Sequence, residues 1–307
     1  MTIEHTSEAG SSYRNELPVD HLGTLVSQWQ PLFDKHGVCE ETLAGFSSII
    51  KHHFQHYGRQ FSWRSEITPY RVVVSEIMLQ QTQTSRVEQK FEKFIERFSG
   101  FGQLARAPFS EVLGAWKGLG YNRRARYLHD IAALVTEQYG GELPDEADVL
   151  QRFPGIGSAT AASICVFAFN KAYPFVETNI RTVYINFFFS KAQKVGDPQI
   201  LDLVEKTMDH NEPRHWFYAL MDYGVMLKKT VGNLNRQSAA YTRQSRFEGS
   251  DRQVRGRILQ ALLDEKTLSI TELASHLGEN EERVLVLAGA LIREGLIKQR
   301  GELLTLA

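Results

Sequence analysis

Cysteine is scarce in this chain: there are two, Cys39 and Cys165, far apart in sequence. Neither has a near cysteine partner, so no zinc or iron–sulfur ligand set is visible. Cys165 lies in an apolar helical stretch and reads as core. Long apolar runs are missing as well. None approaches the roughly 20 residues of a membrane span, so no membrane partner is expected. The stretch Met1–Asn15 is polar and has no apolar signal core. It reads as a flexible tail, and the expected location is cytoplasmic and nucleoid-associated. Net charge is nearly absent: 35 Lys and Arg stand against 36 Asp and Glu. A nucleic-acid partner therefore leaves no global mark. No convincing strand is readable before residue 290. His52, His53 and His56 cluster on one predicted helix without an acidic or cysteine companion. They read as a solvated helix face, and no metal is expected there.

Charge is present locally. Between Tyr223 and Arg257 lie Lys228, Lys229, Arg236, Arg243, Arg246, Arg252, Arg255 and Arg257, opposed by Glu248 and Asp251. Such a stripe suits a phosphate backbone, and it suits a solvated linker equally well. Upstream, apolar spacing predicts helices over His21–His36, Glu41–Tyr57, Arg71–Thr82, Thr84–Phe98, Phe109–Lys117 and Arg123–Tyr139. Further helices are predicted over Asp145–Phe153, Ser158–Phe169, Thr178–Phe189, Ile200–Met208 and Trp216–Lys229. The fold class is all-α. The pattern restarts near residue 252 with helices over Gln253–Asp264, Thr271–Leu277 and Glu281–Glu294. Leu296–Gln299 and Leu303–Leu306 flank Arg300 and Gly301 as a short hairpin. The expected domains are a tail and helix over 1–40, a helical core over 41–229, a basic linker over 230–251 and a winged-helix-like unit over 252–307.

The stretch from Leu150 to Cys165 is the most telling. It reads as a helix end, a tight Pro154-Gly155-Ile156-Gly157 hairpin, and a new helix opening at Ser158. Free N–H groups at such a helix start bind phosphate, and Gly155 and Gly157 let a DNA backbone approach closely. Glu76 stands inside the apolar run Val72–Leu79. Burial raises a carboxyl pKa, which suits a general acid at neutral pH; a structural Glu paired with an Arg would look the same. Glu177 precedes Thr178 and Asn179 at a predicted helix start, where the helix N-terminus favours a carboxylate. Two carboxylates in unlike environments divide into an acid and a charge stabiliser. Tyr121, in Gly118–Arg126, can wedge into a base stack, with Arg123 and Arg124 beside it for phosphates. Gln80 and Gln81 can hydrogen-bond bases or sugars, or serve as plain helix-surface residues.

Taken together, Pro69–Thr82, Gly118–Arg126, Phe153–Thr160 and Phe175–Val183 resemble the helix-hairpin-helix (HhH-GPD) DNA glycosylases. The branch resembled is the adenine DNA glycosylases of MutY type, over about Leu43 to Lys229. The resemblance implies two helical subdomains and double-stranded DNA as partner. It implies that Glu76 protonates a flipped purine, that Glu177 stabilises the sugar cation and that Asn179 positions this centre. It implies that Tyr121 and Gln81 enter the base stack, since a base must leave the stack to be cut. Ala159 stands where bifunctional relatives carry a lysine nucleophile, so a monofunctional hydrolysis is implied.

Three departures from that branch stand out. Glu177 replaces an aspartate. The four-cysteine iron–sulfur loop expected after Gly224 is missing, with Lys228 near its start and Lys228 and Lys229 as replacement DNA contacts. The C-terminal unit is not the Nudix-like domain of that branch. No cofactor is expected, apart from a monovalent cation where backbone carbonyls meet at Phe153–Gly157. The expected substrate is adenine opposite guanine or 8-oxoguanine. Other mismatched or alkylated bases, and a non-catalytic DNA-structure binder, stay open.

Overall fold

The computed structural model describes residues 22–192, 194–242 and 246–307. The expected tail Met1–Asn15 and Arg243 of the basic stripe lie outside the described residues. The first half holds α1 (Leu22–His36), α2 (Glu40–Tyr57), α3 (Ser62–Ser65), α4 (Pro69–Leu79), α5 (Thr84–Arg97), α6 (Phe101–Arg106), α7 (Phe109–Trp116) and α8 (Arg123–Gln138). Then come α9 (Ala147–Leu150), α10 (Ser158–Phe169), α11 (Thr178–Phe188), α12 (Asp197–Thr207) and α13 (Pro213–Thr230). A single 3₁₀ turn follows at Leu234–Gln237.

Two helical lobes share one core. In one, α1 packs on α2, α2 packs on α12 and α13, and Trp29 and Phe46 meet Phe187 of α11. In the other, α4 sits among α5, α8 and α10. The local chemistry explains where helices begin. Thr68 accepts a bond from the Arg71 N–H and Pro69 opens α4, since proline has no N–H to lose there. Val87, Phe91 and Phe94 put one buried stripe on α5. Helix α10 instead buries Ala161–Phe167 without a polar side, because both lobes close on it. Asn170 ends it in the left-handed conformation.

The C-terminal unit contains α14 (Asp251–Glu265), β1 (Thr267–Ser269), α15 (Ile270–Leu277), α16 (Glu281–Arg293), β2 (Ile297–Arg300) and β3 (Leu303–Leu306). Its three strands form an antiparallel sheet in the order β1-β3-β2, a winged-helix arrangement. The expected hairpin is β2–β3. Strand β1 corrects the expectation of no strand before residue 290. It spans three residues with one apolar side chain, Leu268, too short for an alternating pattern to register. Its pairing comes entirely from β3.

Candidate active site

The site lies between the lobes, in a cavity of about 160 Å³. Its floor is Glu76 on α4. Five neighbours on that helix, Val72, Val73, Val74, Ile77 and Met78, are essentially unexposed. Part of the Glu76 side chain opens into the cavity, and protein surrounds the rest. Burial pushes its carboxyl up to about 7, and the charge of Glu177 adds to the rise. The Ser163 hydroxyl of α10, which donates at 2.5 Å, and Arg64 act in the opposite direction. A carboxyl near 7 is about half protonated at neutral pH, where a general acid works best.

Glu177 caps α11. Its Oε1 accepts from the backbone N–H of Asn179 at 2.7 Å and of Ile180 at 2.8 Å. Its Oε2 accepts from Asn179 Nδ2 at 3.2 Å, and both residues line the cavity. Lys228 of α13 donates to Asn179 Oδ1 at 2.8 Å. Burial lowers the Lys228 pKa, while the nearby Glu177 charge acts against that shift. Lys228, expected from sequence to meet phosphate, therefore points into this network, whereas Lys229 is exposed.

Most of the remaining wall falls in Phe61–Arg64 and Ala219–Gly224, which belong to the family resemblance but have no role assigned from sequence. Asp222 of α13 is buried and accepts from Arg59 Nε at 2.7 Å, the Arg59 backbone N–H at 2.7 Å, and Arg64 Nη1 and Nη2 at 3.0 and 3.1 Å. Arg64 lies 4.2 Å above the Tyr218 ring, and Phe61 stacks on Trp63. These rings line the same cavity. An aspartate alone in the apolar run Phe217–Gly224 carries the same signal as Glu76, and that signal was available.

A second group of expected residues sits along an edge. Gly155 has φ +72°, and a Cβ there would meet the Tyr127 ring at 2.2 Å. Gly155, Gly157 and Ser158 are exposed, and no side chain caps α10. Gln80 donates to the Gly155 carbonyl at 3.3 Å and ties α4 to the hairpin. The carbonyls of Phe153 and Gly155 thus already accept internal bonds, from Ile156 N–H and Gln80. Gln81 and Tyr121 both have positive φ, at 54° and 48°. Such strain in non-glycine residues gathers at functional sites. Arg252 of α14 donates to the Tyr121 hydroxyl at 2.9 Å, and Arg123 pairs with Glu294. Arg124, expected from sequence to meet phosphate, is buried instead. Its donors go to the carbonyls of Ile77, Met78, Gln80, Leu119 and Gly120 and to Thr82 Oγ1. Sequence spacing could not separate it from Arg123, because the difference is one step around α8.

A helical body that sets a raised-pKa acid and a capped carboxylate in one ring-lined cavity, beside an exposed glycine hairpin, is the arrangement of a helical acid–base enzyme. The comparisons give this class its family. Residues 74–206 match the HhH-GPD superfamily base excision DNA repair protein family. An adenine DNA glycosylase of Mycolicibacterium smegmatis is 33% identical over 231 residues, covering 70% of this chain and 79% of that one. Among solved structures, a thermostable thymine-DNA glycosylase aligns with a TM-score of 0.53 and 26% identity, over 60% of this chain and 86% of that one. A trapped endonuclease III–DNA covalent intermediate aligns with a TM-score of 0.52 and 16% identity, over 61% of this chain and 86% of that one, and shares the fold. The chain belongs to the HhH-GPD superfamily, as a base-excision repair DNA glycosylase.

The iron–sulfur cluster that the resemblance implies does not fit these residues. Cys165 is buried in α10, Cys39 lies at the start of α2, and the chain has no other thiol. Among the described residues no group of three or more His, Cys, Asp or Glu could hold a metal. Beyond α13 the backbone forms the 3₁₀ turn, and Asn235 there donates to Thr178 O and Thr182 Oγ1 of α11 at 3.1 and 2.7 Å. No helix is long and apolar enough to cross a membrane among the described residues.

Proposed function

We propose that this glycosylase removes adenine from a mispair with guanine or 8-oxoguanine, leaving an abasic site in double-stranded DNA. The observation that carries this reading is Glu76 at the cavity floor with its carboxyl raised to about 7. A purine leaves far more readily once a ring nitrogen is protonated, and a neutral carboxyl at this depth is placed to do it. Similarity to the mycobacterial adenine DNA glycosylase supports the same substrate.

In this reading the adenine leaves the stack and enters the cavity that Phe61, Trp63 and Tyr218 line. Glu76 gives its proton to the base as the bond from C1′ to the base nitrogen breaks, and the electron pair departs with the base. The sugar becomes an oxocarbenium ion. Glu177 faces that charge, oriented by its two backbone bonds and Asn179. Water adds through oxygen to C1′, and its lost proton restores Glu76. Ala159 offers no amine for a covalent intermediate. Gln81 and Tyr121 fill the gap in the stack. Arg123, Gly155, Gly157, Ser158 and Lys229 meet the backbone, with Gln80 bracing the hairpin. The unit over 252–307 adds to the DNA face at Tyr121.

Single-turnover excision on duplexes carrying A opposite 8-oxoguanine, A opposite G, T or U opposite G, and alkylated bases tests this. Abasic product at adenine is expected, falling on the order of 10³-fold with Glu76→Gln. Similarity to a thymine-DNA glycosylase keeps a second substrate in view, and cleavage confined to T or U opposite G would replace adenine with it.

A further inference from the structure

We propose that Lys228 is a positioning residue of the excision reaction, and that it sets the orientation of the Asn179 amide and through it the free oxygen of Glu177. The role rests on the excision reading above.

The backbone makes the contact possible. Helices α11 and α13 touch at Gly224, where an added Cβ would lie 2.4 Å from the Asn179 carbonyl oxygen. Lys228 stands four residues later, on the same face of α13. Close approach at Gly224 therefore carries the Lys228 ammonium over Asn179, where it donates to Oδ1 at 2.8 Å. The half-buried ammonium has given up part of its hydration to reach this place.

The direction of the network follows from donor inventory. An asparagine amide presents an acceptor on one side and a donor on the other, and nothing in its shape fixes which is which. An ammonium can only donate. Lys228 thus fixes Oδ1 toward α13 and turns Nδ2 toward Glu177, which it meets at 3.2 Å. Glu177 Oε1 is already committed to two backbone N–H groups. Oε2 is the oxygen left to face a developing sugar cation, and Asn179 is what holds it. Without Lys228 the Asn179 Oδ1 loses its donor, the amide is anchored at one end only, and it can swing and let Glu177 Oε2 shift with it.

The test compares Lys228→Met and Lys228→Arg with wild type on the active duplex, after a melting curve shows each folded. Lys228→Met is expected to slow saturated single-turnover excision by 10- to 100-fold, the scale on which small misplacements act. Its DNA affinity and the salt dependence of binding should stay unchanged, because Lys228 does not face phosphate. Lys228→Arg, which still only donates, should recover most of the rate. Combining Lys228→Met with Asn179→Ala should cost little beyond Asn179→Ala alone. An unchanged saturated rate in Lys228→Met would overturn the proposal. So would a normal rate with weaker binding and a salt slope reduced by about one, which would make Lys228 a phosphate contact. A wild-type chain that excises no base from any duplex would instead sink the excision reading itself, and the role with it.

Discussion

The cavity and the edge beside it use their charged residues in opposite ways. In the cavity, polar groups are internal and answer one another: Ser163 to Glu76, Asn179 to Glu177, Lys228 to Asn179 and two arginines to Asp222. Along the edge, Gln81 and Tyr121 hold strained backbone, and Arg123 and Tyr121 are met by the C-terminal unit. The difference teaches that polarity in the cavity is fixed by burial, whereas the edge residues Gln81 and Tyr121 are fixed by backbone. Arg124 joins the two regions. It is buried like a cavity residue and braces the two turns that carry Gln81 and Tyr121. Replacing it with alanine orphans several buried carbonyls at once, which should destabilise the protein by about 4 kcal/mol. Chemical denaturation reads this directly. A loss under about 1 kcal/mol would show that the brace is dispensable and that the contrast between the regions is overdrawn.

Glu76 sharpens the cavity side of the comparison through pH. Its carboxyl stands at about 7 in the folded chain, against 4.5 as the ordinary value. The folded protein therefore holds this proton more tightly than the unfolded chain does. Below 4.5 both states are protonated and the group contributes nothing. As pH rises through the window to about 7, the unfolded chain loses its proton first and stability falls. Above that, the full penalty is roughly 3 kcal/mol. Glu76→Gln should thus melt higher than wild type at pH 8 and equally at pH 4, while excision is nearly lost. Wild-type excision should fall about tenfold per pH unit above 7, as the acid form disappears. A melting gain that is equal at both pH values would remove the titration argument.

What was legible beforehand follows from how local each feature is. The hairpin Pro154–Gly157, the helix start at Glu177 and the apolar setting of Glu76 each lie within a few residues, so spacing and residue type reveal them. Partners lie elsewhere. Ser163 is 87 residues from Glu76, and Lys228 is 49 from Asn179. No spacing rule connects such pairs, and Lys228 beside Lys229 looks like surface charge until α13 is seen against α11. Arg124 fails for a related reason: adjacent residues on a helix face different ways, so spacing does not separate it from Arg123. Asp222 is different: its segment Ala219–Gly224 carries the resemblance, and its apolar setting within one helix pointed to a role that spacing alone left unassigned.

The edge offers the smallest effect and the clearest test of its own rule. Glu294 lies between Arg123 of the core and Arg255 of α14, accepting from Arg255 at 2.5 Å. Arg123 is half-exposed, so its pair with Glu294 should contribute less than about 1 kcal/mol to stability. Its weight lies in what it withholds. An arginine already answered by a carboxylate must exchange that partner for phosphate when DNA arrives, and the exchange releases fewer counterions than a fresh contact. Glu294→Gln keeps the shape and removes the competing charge. Melting temperature should fall modestly, because the largely buried Glu294 also answers Arg255, while DNA affinity rises a few-fold and the salt slope steepens by about one. The same slope in both proteins would mean that Arg123 never reaches phosphate, and that the C-terminal unit covers this part of the edge when DNA is bound.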